Sequence, residues 1–195
     1  MMEPIDRDRS PPPGTRLAGA AGPFGAILAV VSIFAATLLS STFSWSESAL
    51  SDLGVAADPL VVLLFNGGLV AGGIVGIGYA LALGRHSTGV AVAYALSVLA
   101  MILVGLFPAG TAPHLPVAVA FFLLATATVA LDGWHRRSST AGRVALALAA
   151  GHLLGWATWG VGLRPGPGLA LPELGGVAMF GGWILFLAPA SRWVR

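Results

Sequence analysis

Few side chains in this sequence can do chemistry, and those that can are mostly carboxylates and imidazoles. Between long apolar stretches stand Glu47, Asp52, Asn66, His114 and Glu173, with Ser48 and Ser51 beside the first two acids. Carboxylate and histidine together are the residue types of an acid–base site or a metal site. No pair has a ligand spacing such as HExxH, so no metal is expected. Convergence of these groups would have to come from the fold. A second candidate is His152, near the middle of an apolar run, with Trp156 and Trp159 following at helical spacing. Ionisable groups are costly at such a depth in a membrane. His152 therefore either hydrogen-bonds a neighbouring helix or handles a ligand, lipid or proton.

Each candidate also has a plain structural reading. Glu173 follows Pro172 and suits the positive end of a helix dipole. His114, between Pro113 and Pro116, suits a solvated helix start. In Ser44–Val55, Trp45, Ala49, Leu50 and Leu53 recur at helical spacing, and Ser44, Glu47, Ser48, Ser51 and Asp52 form the other face. This predicts a short interfacial helix stopped at Gly54, either an amphipathic connector or the lid of a site with its acidic side toward the mouth. Asp132 and Arg136, four apart, read as a local ion pair. Gly68, Gly72 and Gly76, also four apart, read as a close-packing face, with a hinge or cleft wall as the alternative. Gly76-Ile77-Gly78 follows no strand and is no nucleotide loop. No GxSxG nucleophile elbow is present.

The elements that must position these residues follow from composition. Of 195 residues 56% are hydrophobic and 9% charged, against roughly 25% charged in a soluble domain. The mean hydropathy is +0.87, and a body of this size cannot hide that much apolar surface from water. Six stretches, 22–41, 59–83, 88–107, 115–133, 143–163 and 171–190, reach the roughly 20 apolar residues that span a bilayer. Turn residues or charges interrupt them: Asp58-Pro59, Gly84-Arg85-His86, Phe107-Pro108, His135-Arg136-Arg137 and Arg164-Pro165-Gly166-Pro167. None alternates as a β-barrel strand does. The predicted fold is an all-α membrane bundle of six antiparallel helices with short loops, residues 20–195, behind a disordered cytosolic tail, 1–19.

All ten basic residues are Arg. With a cytosolic amino terminus, nine lie on the inner side and Arg164 alone on the outer side. The positive-inside rule then puts both termini in the cytosol and the protein in the cell membrane. No basic run exceeds Arg136-Arg137, so nucleic acid is not an expected partner. The absence of Cys excludes disulfides and thiolate chemistry, and no cofactor is indicated.

The string Ser51-Asp52-Leu53-Gly54 with Asn66 resembles the multipass membrane family called domain-of-unknown-function 998. So do Gly105-Leu106-Phe107-Pro108, His114, and Pro172-Glu173-Leu174 in their order along the chain. The likeness runs from about residue 22 onward. It implies a six-helix bundle and points to polar positions on the outer side, without implying an activity. The Ser-Asp-x-Gly element alone is similar to one in eukaryotic damage-regulated autophagy modulators and their lipid-remodelling relatives.

Three functions fit these residues. The first is a non-enzymatic membrane protein that binds a lipid, a small amphiphile or a protein partner, including a second copy of itself in a homo-oligomer, at an outer polar pocket. The second is an interfacial enzyme acting on lipid, with His114 and Glu173 or Asp52 as acid and base. The third is a small-solute or proton-coupled transporter, which would rest on His152.

Overall fold

The computed structural model describes residues 13–190. Of the tail expected over 1–19, residues 1–12, with Arg7 and Arg9, lie outside those residues, as do Arg192 and Arg195, whereas 13–19 are helical. Long helices run over α1 (Pro13–Leu39), α2 (Pro59–Leu83), α3 (Thr88–Leu106), α4 (His114–His135), α5 (Thr140–Gly160) and α6 (Ala170–Leu187). Among the described residues there is no strand. Helix starts carry the expected chemistry. Asp58 accepts from the Leu60 amide (2.8 Å) ahead of Pro59 at the start of α2. Ser139 accepts from the Gly142 amide (3.1 Å) ahead of α5.

Five of these helices are long and apolar enough to cross a membrane: α1 (over Leu17–Leu39), α2, α3, α4 and α6. The chain stretch expected as a fifth span, 143–163, does form a helix, α5. Its Arg143 and His152 make it less apolar than the others. Large apolar side chains are exposed on every helix, among them Val31, Leu81, Leu96, Leu123, Leu154 and Phe186. A surface so apolar fits lipid and not water.

Each helix packs on the next in the chain, and α6 returns to both α1 and α4. The α1–α2 seam is made by glycine, as the spacing predicts. A Cβ on Gly72 would lie 2.7 Å from the Gly25 carbonyl oxygen, so a side chain there would force the helices apart. The core holds the stacked pair Phe180 and Trp183 (6.0 Å) and the edge-on pair Tyr79 and Tyr94 (5.4 Å). At one end, buried Asp132 pairs with Arg136 through both carboxylate oxygens. The pair is not merely local. The Trp183 indole N–H donates to the Asp132 Oδ2 (2.7 Å), and Arg136 donates to the Leu187 carbonyl (2.8 Å). Leu187 closes a π-helical turn, Trp183–Leu187, so the guanidinium caps the carboxyl end of α6.

The predicted interfacial helix over Ser44–Val55 is corrected. It is a six-residue 3₁₀ turn, Leu50–Val55, preceded by irregular chain. The backbone upstream is spent on another partner. The Gly168 amide donates to the Ser46 carbonyl (2.8 Å) and the Ala170 amide to the Ser48 carbonyl (2.9 Å). That pairing draws those carbonyls away from any helical ladder. Gly168 has no room for a Cβ, which would lie 2.7 Å from the Ser48 nitrogen. The segment 44–55 is thus strapped to the α5–α6 connection, with Leu50 and Leu53 buried beneath it.

Candidate functional site

The strap, the starts of α4 and α6 and the middle of α5 line a cavity of about 450 Å3 that opens at the bundle surface. Its wall is largely apolar, with Leu115, Val119, Phe122 and Leu123 from α4 and Leu153 from α5. Five polar side chains reach it: Ser51, His114, Thr126, His152 and Glu173. A narrower void of about 40 Å3 continues toward the bundle centre past Ser51, His114 and Glu173.

Glu173 stands in the first turn of α6, as its sequence position predicts. Its carboxylate does more than face a helix dipole. Oε2 accepts the Leu50 amide across 2.6 Å in a buried contact, which fastens the strap to α6. The second oxygen makes no hydrogen bond among the described residues. The Ser51 hydroxyl, next along the strap, likewise makes none and is half-buried on the cavity wall.

His114 opens α4, with its Nδ1 2.8 Å from the Phe107 carbonyl oxygen. A carbonyl only accepts, so Nδ1 carries the proton and donates. In the neutral ring Nε2 is then left with its lone pair. Phe107 is the residue that follows α3, just before Pro108, so this bond also ties the α3–α4 turn together.

Deeper in the cavity, hydrogen-bond logic fixes the His152 tautomer. The Trp156 indole N–H donates to His152 Nε2 (2.9 Å), which must therefore be unprotonated. Nδ1 then carries the hydrogen and donates to the Thr126 hydroxyl oxygen (2.8 Å). The Thr126 hydroxyl in turn donates to the Phe122 carbonyl (2.7 Å). Both ring nitrogens are engaged. Gly176 of α6 makes room for the ring, since a Cβ there would lie 2.8 Å from Nε2.

The structure thus brings together Ser51, His114, Glu173, His152 and Trp156, from both sequence-derived groups. It leaves out Glu47, Ser48, Asp52 and Asn66. Glu47 is exposed. The Ser48 hydroxyl accepts from the Ser44 amide (3.1 Å). Asp52 is exposed and accepts from the Ala49 amide (2.8 Å), capping the 3₁₀ turn. Asn66 lies in a π-helical turn, Leu63–Gly67, and donates to the Gly54 carbonyl (2.9 Å). The acidic side of 44–55 therefore faces away from the cavity. Among the described residues no three His, Asp or Glu side chains stand close enough to hold a metal ion.

Thr126 was not singled out from sequence. A threonine inside an apolar run gives no signal until its partner across the helix pair is known. The second missed feature is Gly168, whose role depends on the strap and not on its own turn.

A family model described as a protein of unknown function, DUF998, matches residues 23–190. The chain belongs to DUF998. The match covers α2 to α6 and all of α1 beyond residue 22, so the whole cavity lies within the DUF998 region. No curated protein and no solved structure matches the chain.

Proposed function

We propose that this DUF998 protein crosses the cell membrane as six antiparallel spans, with both termini in the cytosol, and binds a lipid or small amphiphile in the cavity beneath the strap. The observation that carries this reading is the cavity itself: an apolar wall with Ser51, His114 and Glu173 gathered at one end. Its volume falls in the roughly 300–1,000 Å3 range of small-molecule sites. The apolar length takes a hydrocarbon chain, and the polar end offers one hydroxyl, one imidazole lone pair and one carboxylate oxygen. Those groups suit a hydroxyl- or amine-bearing headgroup, which supplies donors. The span beyond the five most apolar helices is α5, whose lower apolarity follows from Arg143 at its start and from His152. The antiparallel arrangement is supported by the strap end, where the close of α3 meets the start of α4. Arg85, Arg136, Arg137 and Arg143 then fall on the cytosolic side and Arg164 on the outer side.

The test is lipid extraction and native mass spectrometry of the purified protein. Val119→Trp fills the cavity from a residue that is half exposed, and so the fold tolerates it; Ala118→Phe fills it from deeper. One amphiphile retained by the wild type and lost in both variants supports the reading. Identical, unselective lipid profiles in all three overturn it.

A second reading, an interfacial enzyme acting on lipid, has one observation in its favour. The Ser51 hydroxyl, the His114 Nε2 lone pair and the Glu173 carboxylate border the same two spaces. General acid–base work needs such groups within hydrogen-bond reach of a bound substrate. Turnover of a bound ester that disappears in both His114→Ala and Ser51→Ala separates this reading from simple binding. The transporter reading is weaker, because the His152 nitrogens are already committed to Trp156 and Thr126.

A further inference from the structure

On the other side of α5 lies a second, more open space of about 450 Å3, between α5 and α6. Its floor is glycine: Gly151 and Gly155 of α5 and Gly175 of α6 have nothing within 4 Å of where a Cβ would stand. The two helices leave a smooth furrow there instead of closing on each other. Trp159 and Arg164 stand at one end of the furrow. The Arg164 guanidinium lies over the Trp159 ring at 4.4 Å. Trp159 is itself anchored, its indole N–H donating to the Gly168 carbonyl (2.8 Å). Among the described residues no carboxylate lies within ion-pair distance of Arg164.

We infer that the α5–α6 furrow binds the acyl chain of an anionic membrane lipid, with the lipid phosphate held by Arg164. The charge decides the occupant. A guanidinium stacked on an aromatic face keeps its N–H donors in a planar fork, which matches phosphate oxygens. Arg164 lies four residues beyond the end of α5, where a span meets the headgroup layer, and Trp159 is the residue type enriched at that depth. A glycine floor also suits a second helix. A second copy of α5 paired in parallel across Gly151 and Gly155 would set two Arg164 side chains at the same end, which disfavours that occupant. This site meets the cavity under the strap only at His152, which lines both spaces. It depends on α5 and α6 lying in the membrane but not on what the cavity holds.

The full-length protein in detergent is titrated with phosphatidylglycerol or phosphatidylcholine of matched chains and read by native mass spectrometry. The wild type retains phosphatidylglycerol over phosphatidylcholine by about fivefold, the order that one surface Arg contributes. Arg164→Gln removes that preference. Gly151→Leu with Gly155→Leu, or Gly175→Leu on the opposite wall, fills the open space and removes one bound lipid of either kind, leaving any amphiphile of the strap cavity in place. His114→Ala, in the strap cavity, leaves the preference intact, so failure of one site is distinguishable from failure of the other. Millimolar inorganic phosphate does not displace the lipid. Equal retention of the two lipids by the wild type, or a preference that survives Arg164→Gln, overturns the inference. So does full displacement by inorganic phosphate, or a dimer that the glycine substitutions dissolve.

Discussion

Glu173→Ala isolates the bond that holds the strap over the cavity. In the native protein Glu173 Oε2 accepts the Leu50 amide at 2.6 Å, and Leu50 is 3% exposed. Truncation leaves that N–H buried without a partner, a penalty of about 1–3 kcal/mol. Strap opening near Leu50 should therefore become more frequent by about 5- to 150-fold, at roughly 1.4 kcal/mol per tenfold. The effect stays local. The Gly168–Ser46 and Ala170–Ser48 backbone bonds do not involve the carboxylate and keep the upstream half of the strap in place. Hydrogen–deuterium exchange in nanodiscs measures this directly, since local opening sets amide protection. The amides of 50–52 should exchange faster by that factor, while those of Gly168 and Ala170 keep their native rates. Glu173→Gln retains an oxygen acceptor and should recover most of the protection. Unchanged exchange at Leu50 in Glu173→Ala would refute the assignment of Glu173 as the strap's anchor, and uniform acceleration at 46–55 and 168–170 would refute its locality.

Removing Asp132 breaks a buried pair and also orphans the Trp183 indole. Asp132→Ala should lower stability in detergent by about 3–5 kcal/mol, read from thermal unfolding; an unchanged midpoint contradicts the role given to this network. Trp156→Phe leaves the His152 Nε2 without its donor and should cost about 1–3 kcal/mol. Nitrogen NMR of the wild type should show His152 protonated on Nδ1, and an Nε2-protonated ring contradicts the hydrogen-bond chain. Gly72→Ala places a carbon 2.7 Å from the Gly25 carbonyl oxygen and should destabilise by about 1–3 kcal/mol. Gly151→Ala meets open space and should be neutral or gain up to about 1 kcal/mol from helix propensity; equal effects at the two sites contradict the packing described.

What was legible in the sequence was whatever depends on local chemistry. Apolar run length marks the helices, Asp58-Pro59 marks a helix start, and the four-residue glycine spacing marks the α1–α2 seam. Asp132 and Arg136 pair as their spacing predicts. Residues 44–55 were misread because helical periodicity was present but the backbone found a non-local partner in 168–170. That same pairing turned Glu47 and Asp52 outward and removed them from the cavity. His114, Glu173 and Ser51 do meet, yet nothing in their spacing encodes the meeting. Thr126 was invisible for a related reason: its significance lies in His152 Nδ1, across a helix pair. Asn66 showed as a polar residue within a span, but its partner, the Gly54 carbonyl, belongs to the strap.

An amphiphile occupying the strap cavity is the central expectation, and a density map of the protein purified from its own membrane tests it most directly. The expected result is elongated density along Val119, Leu123 and Leu153, its polar end within hydrogen-bond reach of Ser51 Oγ, His114 Nε2 and Glu173. A cavity collapsed onto itself, or His114 and Glu173 lying in separate compartments, would contradict it.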